Sequence, residues 1–273
     1  MLRAIVAMVL VGAVASAQVT LVHSYTKGEE LKYQLKEELN VEETTLDPMT
    51  KKPSTVKTVK SLAVSRTWKV VAVEADGSAT LELVITALKD ELVQTKDDEK
   101  PKTRTMDSSK PDDAKDMPFL NTTSLTVTLD SRGEVLSAKG GGKELLGKLK
   151  EQLPFRAVLP KGPTKAKDTW KREFTITAPT KETFESVQEF TLKGQNGDYV
   201  VLGMTTALKE KVADDAVMPM VAPLLWNGDV FFNGKTNHYH GAKLKASQNI
   251  TNHRGEGTKY VYGSEFTEAM VSK

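Results

Sequence analysis

The sequence has no cysteine, few aromatic residues and almost no net charge. Its 273 residues include 38 Lys and Arg against 36 Asp and Glu, which gives a formal charge of +2, and aromatic residues make up 6%. The absence of thiols excludes disulfides, a cysteine nucleophile, cysteine-ligated zinc and iron–sulfur clusters. Because basic and acidic residues alternate along the chain, no strong field for nucleic acid is expected, and we predict no nucleic-acid partner.

Long apolar runs are also lacking beyond the N-terminal region. Arg3 precedes an apolar run at residues 4–14, and residues 15–17 read Ala-Ser-Ala. A short positive region, an apolar stretch too short to span a bilayer and an A-x-A site are typical of a cleaved secretory signal peptide. The sequence therefore predicts a periplasmic or extracellular protein that is cleaved after Ala17 and has no transmembrane segment in its mature chain.

Apolar residues recur at every second position in several stretches. The first consists of Leu31, Tyr33, Leu35, Leu39 and Val41, and the second of Leu62, Val64, Trp68 and Val70. Glu37 and Arg66 interrupt the two patterns. This period is typical of a β-strand with one wet face, and Asp76-Gly77 predicts a hairpin turn. We predict a mainly β fold of antiparallel curved sheets in two related halves, arranged as a half-barrel or a sandwich, with one or two short helices.

Other stretches lack this period. Residues 45–60 are polar and charged, which predicts a hairpin tip or a mobile loop, and the charged residues 95–116 predict a flexible loop. Residues 143–153 carry leucines at helical spacing and predict an amphipathic helix that packs on a sheet or closes its open side. A second, weaker helix is expected within residues 214–225, where two prolines limit its length.

Two segments match each other in register. Asp76-Gly77 and Asn196-Gly197 are each followed, at the same offset, by Thr-Ala-Leu-Lys, at residues 86–89 and 206–209. This match favours an internal duplication. We divide the chain into a signal peptide (1–17), a first β-rich half (18–140), a helix and connector (141–163) and a second β-rich half (164–273).

The histidines suggest one candidate metal site. His238 and His240 are two residues apart, so on a regular strand both imidazoles point to one face. His253 lies one hairpin away and is a candidate third nitrogen ligand for zinc. The alternative interpretation is a pair of surface histidines, because asparagine and glycine surround them.

A hydrophobic stretch at residues 218–226 suggests a site for an apolar ligand. It contains Met218, Met220, Leu225 and Trp226 and is not a clear strand. Methionine adapts to varied ligands and tryptophan supplies an apolar wall with a polar edge. The same composition also fits a plain core crossing.

Short motifs give a resemblance over the whole mature chain. These are the Gly-x-x-Leu-x-Tyr start at residues 28–33, the Asp76-Gly77 hairpin, and Leu159-Pro160 ahead of Trp170. With them the chain resembles uncharacterised exported bacterial β-rich proteins, a domain family of unknown function. The resemblance implies no catalytic residues. At the level of fold, the pattern is also similar to the half-barrels of periplasmic lipoprotein carriers.

These patterns favour a non-catalytic exported protein that binds a lipid or another apolar or amphipathic ligand, without a cofactor. We expect the ligand between the concave sheet and either the helix at residues 143–153 or the segment at residues 218–226. One alternative is a structural or interaction module of the cell envelope, which docks a protein partner through charged loops. A second alternative is a metal-dependent hydrolase that uses His238, His240 and His253. No G-x-S-x-G elbow or similar nucleophile motif supports other hydrolytic chemistry.

Overall fold

The computed structural model describes residues 18–141, 149, 151–212 and 215–271. The predicted signal peptide and most of the predicted helix at 143–153 lie outside these residues. Within them, no helix is long and apolar enough to cross a membrane. In chain order the elements are β1 (Glu30–Leu46), β2 (Pro53–Val73), β3 (Ala79–Lys96), β4 (Lys102–Asp107), α1 (Pro111–Lys115), β5 (Thr123–Leu129), β6 (Val135–Gly140), β7 (Thr169–Thr177), β8 (Thr183–Asn196), β9 (Tyr199–Leu208), α2 (Met218–Val221), a 3₁₀ turn (Ala222–Leu224), β10 (Asn227–Asn233), β11 (His238–Thr251) and β12 (Lys259–Met270).

The strands form one large antiparallel sheet. Its order is β6-β5-β3-β2-β1-β12-β11-β10-β9-β8-β7, and β4 pairs with β3 outside this path. Strands β1–β6 and β7–β12 are each laid down in chain order, and the pairing of β1 with β12 joins the two sets. The predicted mainly β, antiparallel fold is confirmed. Because the sheet is continuous, the sandwich alternative is wrong.

The main core lies on one face of this sheet, which we call the inner face. In β1, Leu31, Tyr33 and Leu35 are buried there while the residues between them are exposed. Segments without strand structure, at residues 19–25, 151–159 and 222–226, supply the other side of the same core. We call residues 151–159 the inner segment. Each fully buried Leu or Phe side chain contributes roughly 1.5–3 kcal/mol, so this face holds the fold together without disulfides.

Residues 45–60 form a hairpin tip, as one of the two alternatives had it, whereas residues 95–116 contain a strand and a helix, so the prediction of a loop there is wrong. β1 continues to Leu46 and β2 begins at Pro53, which leaves a turn of only residues 47–52. Residues 102–107 form β4, and α1 follows it. These hairpin ends extend past the core, where Val59 is 48% exposed. Backbone hydrogen bonds between neighbouring strands keep these ends in the sheet, although neither face of the sheet is buried there. Because no face is buried, their sequence does not alternate between apolar and polar residues.

Both helical predictions are confirmed at those of their residues that the structure describes. Leu149 and Glu151 are helical, and Leu149 and Leu153 are buried against the sheet. The weaker helix at 214–225 is present as the single turn α2 and the 3₁₀ turn after it.

The two matching segments both lie in returning strands of hairpins. Residues 86–89 belong to β3, and residues 206–208 end β9 with Lys209 directly after it; each strand follows a turn from β2 or β8. Strands β1–β6 lie within residues 18–140 and β7–β12 within residues 164–273, and the division of the chain into two related halves stays a prediction. Common descent of the halves remains a prediction.

One titratable side chain, His23, is buried in the aromatic part of the core. Its ring stacks on Tyr25 at a centroid distance of 5.5 Å and meets Phe155 and Phe232 at 5.6 and 5.4 Å. Burial, with a smaller contribution from nearby His238, lowers the pKa of His23 from 6.5 to about 3. The imidazole is therefore neutral in the folded protein at any pH that cells experience.

This burial predicts a pH dependence of stability. Between pH 6.5 and 3 the unfolded chain binds a proton at His23 that the folded protein does not, so the free energy of unfolding falls as pH falls, by up to about 1.4 kcal/mol per pH unit. His23→Phe should flatten this slope in urea unfolding measured from pH 6.5 to 4.5. His23→Gln, which is smaller but also does not titrate, should flatten it equally. An unchanged slope in both variants would show that another group causes the acid sensitivity.

Candidate ligand-binding site

Two charged side chains occupy core positions on the inner face. Arg66 interrupts the apolar alternation of β2, and Glu268 takes an inner-face position on β12 opposite Leu35. The Glu268 side chain is 0% exposed and that of Arg66 is 14% exposed. Burial of a charge is costly unless it is paired and hydrogen-bonded, so this pair requires partners.

The partners are present and connect four strands. Arg66 Nε donates to Glu268 Oε1 at 2.7 Å, and the Tyr239 hydroxyl donates to Glu268 Oε2 at 2.8 Å. The Tyr33 hydroxyl donates to the Tyr239 carbonyl oxygen at 2.8 Å. Arg66 Nη2 also donates to the carbonyl of Pro154 at 3.3 Å, which ties the sheet to the inner segment. The polar cluster thus fixes the position of β1, β2, β11 and β12 relative to the segment that covers them.

Both tyrosines stay protonated in this cluster. Burial raises the pKa of Tyr33 and of Tyr239 well above the ordinary value, and the negative charge of Glu268 raises both further. They act only as hydrogen-bond donors and not as bases. The cluster holds the charges of Arg66 and Glu268 in place, and neither of its tyrosines is deprotonated to act as a nucleophile.

A cavity of about 160 Å³ lies next to the cluster, between the sheet and the inner segment. Its apolar lining comes from the sheet, from the inner segment and from a leucine just before that segment: Trp68, Leu83, Leu125, Leu149, Leu153 and Pro154. Its polar lining is Arg66, Gln152 and Arg156. The cavity therefore joins an apolar wall to two cationic groups.

Arg156 differs from Arg66 because its charge has no carboxylate partner at contact distance among the described residues. Its Nη1 donates to Gln152 Oε1 at 3.2 Å, and its guanidinium lies 4.1 Å from the centre of the Phe266 ring. Its Nε is buried and has no hydrogen-bond partner in the described part of the chain. Burial lowers the pKa of Arg156, against the opposing effect of Glu268, but an arginine keeps its charge at neutral pH. An unpaired buried donor next to a cavity is a ready binding point for an anion.

The residues that the sequence suggested for an apolar ligand lie elsewhere. Trp226 is 4% exposed and packs edge-on against Phe266, so it is part of the core. Met218 and Leu225 pack at the edge of a smaller cluster around Ile176. Met220 is 37% exposed. None of these four residues lines the cavity beside Arg156.

The structure does not bring the three histidines together. A bulge opposite Phe231 and Phe232 falls at His240 and breaks the alternation from His238. His238 Nε2 lies 3.4 Å from Glu29 Oε2, whereas the His240 ring contacts the ring of Tyr199 in a tilted arrangement on the outer face. His253 follows the far end of β11, about 40 Å away at the usual rise per residue. Within the described residues there is no group of three His, Cys, Asp or Glu that could hold a metal ion.

A larger groove lies on the opposite, outer face. It measures about 470 Å³ and is lined by apolar side chains including Tyr199 and Phe231. Its lysines, Lys36 and Lys243, are exposed to solvent, so they offer only a screened attraction for an anion. The smaller inner cavity combines burial with an unpartnered charge, and we regard it as the candidate site.

The cavity lies between the sheet and the predicted helix at residues 143–153, which was one of the two expected ligand locations, and Leu149 and Leu153 line it. Its charged residues were not predicted from the sequence. The available signal was Arg66, a charge at a position where alternation requires an apolar residue. Such a break indicates a buried charge, and a buried charge indicates a partner or a ligand. Arg156 and Glu268 give no comparable local signal, because their positions depend on the path of the inner segment and on the pairing of β12.

Comparison with known proteins identifies a fold neighbour and no family. No protein-family model matches the chain, and no curated protein sequence matches it significantly. A solved structure of lipovitellin, described for its lipid–protein interactions, superposes with a TM-score of 0.54 at 11% identity. The match covers 91% of this chain and 26% of the lipovitellin chain, so this chain spans about a quarter of that protein. At this identity the likeness shows the fold alone.

A second solved structure is too dissimilar for any argument. It is DynF from the dynemicin biosynthesis pathway of Micromonospora chersina, with a TM-score of 0.23 at 7% identity over 95% of this chain and 88% of DynF.

The buried ion pair leads to a stability prediction. Glu268→Gln leaves Arg66 buried without its counter-charge, so the free energy of unfolding should fall by about 3 kcal/mol or more. The matched control is Glu265→Gln on the same strand, because Glu265 pairs with Lys245 where the two side chains are 62% and 73% exposed. Its cost should be below about 1 kcal/mol. Equal losses in urea unfolding would mean that the inner pair has no special role.

Proposed function

We propose that this protein is a non-catalytic binder of an amphipathic anion such as a fatty acid. The observation that carries the proposal is the buried Arg156 Nε, which lacks an acceptor beside a cavity with apolar walls. In the proposed complex, a carboxylate accepts from Arg156 and the adjoining apolar chain contacts Trp68 and Leu83. The charge pair of Arg66 and Glu268 keeps these donors in place.

The volume of the cavity limits how the ligand sits. Small-molecule pockets typically measure roughly 300–1,000 Å³, and this cavity of about 160 Å³ is smaller. It therefore holds the head and the first part of the chain, and the rest of the ligand extends beyond it.

The fold neighbour supports the apolar-ligand part of the proposal. The lipovitellin structure is described in terms of lipid–protein interactions, and this chain shares its fold. In this chain, an antiparallel sheet with an apolar inner face suits an apolar ligand. The chemistry at Arg156 belongs to this chain and is the part of the proposal that needs its own test.

The binding test uses cis-parinaric acid, a fluorescent fatty acid. Titration of the purified chain should give saturable fluorescence, and Arg156→Gln should weaken affinity about tenfold, since a hydrogen bond to a charged group contributes about 1.5–3 kcal/mol. Arg104→Gln is the matched control, because Arg104 lies on β4 with a side chain that is 67% exposed. Absence of saturable binding, or equal weakening in both variants, would contradict the proposal.

We further propose that the protein is exported and acts in the periplasm or outside the cell. The support is the sequence of residues 1–17. After expression in an exporting bacterial host, the extracytoplasmic fraction should contain a chain that starts at Gln18, as read by N-terminal sequencing. Accumulation of the chain with Met1 in the cytoplasm would contradict export.

The alternative role as an interaction module of the envelope stays a prediction. Its proposed docking segment, residues 95–116, contains β4 and α1 and is ordered in the sheet. The hydrolase alternative has no geometric support, because the three histidines are apart.

A further inference from the structure

The two edge strands of the sheet face each other across a gap, which we call the seam. β6 and β7 are the ends of the strand order. Nevertheless, one cavity of about 400 Å³ takes its lining from both of them, with Val135 from β6 and Phe174 and Thr175 from β7. The sheet is therefore curled until its edges approach, and among the residues that the structure describes no backbone pairing joins β6 to β7.

The seam cavity adjoins the inner cavity at one residue. Leu153, in the inner segment, lines both of them. The Leu153 side chain is buried. A change of its rotamer is the smallest movement that the route proposed below requires to connect the seam with the space beside Arg156.

Like the inner cavity, the seam combines apolar side chains with an arginine, but it is also lined by two carboxylates, Glu134 and Glu173. Arg172 lines it, with Nη1 donating to Gln188 Oε1 at 2.9 Å and the guanidinium 4.7 Å from the centre of the Phe174 ring. Burial lowers the pKa of Arg172 to about 10, so it is protonated at neutral pH. Glu134, across the seam, opposes this shift and is the anion with which a ligand head group competes.

We propose that the seam is the lateral opening through which an amphipathic anion enters and leaves the inner cavity, with Arg172 as the first contact of its head group. This inference rests on the proposed function. The combined volume of the two cavities also accommodates the part of the ligand that the inner cavity cannot hold.

The absence of native cysteine makes the seam testable by cross-linking. Val135→Cys with Thr175→Cys places one thiol on each edge strand, and a short bismaleimide then links the edges. The matched control is Lys171→Cys with Glu189→Cys, since these residues are exposed partners on β7 and β8, which are already hydrogen-bonded to each other. Stopped-flow fluorescence follows uptake and release of cis-parinaric acid before and after linkage.

Linkage across the seam should slow both uptake and release about tenfold or more, as expected when an opening motion limits exchange. The linked control should exchange the probe at the rate of the unmodified chain. If the seam-linked protein binds the probe and exchanges it as fast as the control, the seam is not the route and the inference is overturned, while the proposed function stands. If the unmodified chain does not bind the probe at all, both fail.

The role of Arg172 is tested by the charge of the probe. Arg172→Gln should slow uptake of cis-parinaric acid roughly tenfold, because attraction of the anion is lost. Uptake of its neutral methyl ester should stay unchanged, as should uptake of both probes by Lys171→Gln, the exposed neighbour on the same strand. Equal slowing of the acid and the ester would show a merely structural role and overturn this part of the proposal, as would no slowing of either.

Discussion

The pairing of β1 with β12 is the constraint on which the rest of the structure depends. Each half of the chain can form its own set of antiparallel strands from local hairpins, but only this pairing makes one sheet of them. It brings together residues from the two ends of the chain, and the buried Arg66–Glu268 pair is built across it. Tyr33 on β1 and Tyr239 on β11 complete the same cluster. Without the β1–β12 register, Arg66 would lose the carboxylate that pairs with it beside the cavity.

The fold class followed from the sequence because one face of the sheet is buried over much of its length. In β1, the alternation of Leu31, Tyr33 and Leu35 with polar residues reproduces the observed burial. The Asp76-Gly77 turn is where expected, with Glu74 N donating to the Ser78 carbonyl. The strand ends beyond the core gave no such pattern. They are held by backbone hydrogen bonds, which any sequence can make, and so they read as loops.

The site was less predictable than the fold for a different reason. Alternation marks a position as inner or outer but does not say which distant residue faces it. Arg66 was visible as an interruption, whereas its partner Glu268 is 202 positions away in sequence. The His238–His240 pair failed in the opposite way, because a single bulge at His240 moved the two side chains to different surroundings. A local sequence pattern does not indicate which distant residues pair with each other, and it does not indicate where a strand is bulged.

The edge of β7 bears on whether the protein associates with itself at high concentration. A free strand edge of nine residues is a template on which a second copy can add a strand. Here the buried carboxylate of Glu151 accepts the outward amide of Thr177 at 2.9 Å. A strand from a neighbouring molecule would have to displace that carboxylate and leave its charge buried without a donor. At this point the protein's own Glu151 therefore occupies the edge of β7. This contact opposes the addition of strands from other molecules at high protein concentration.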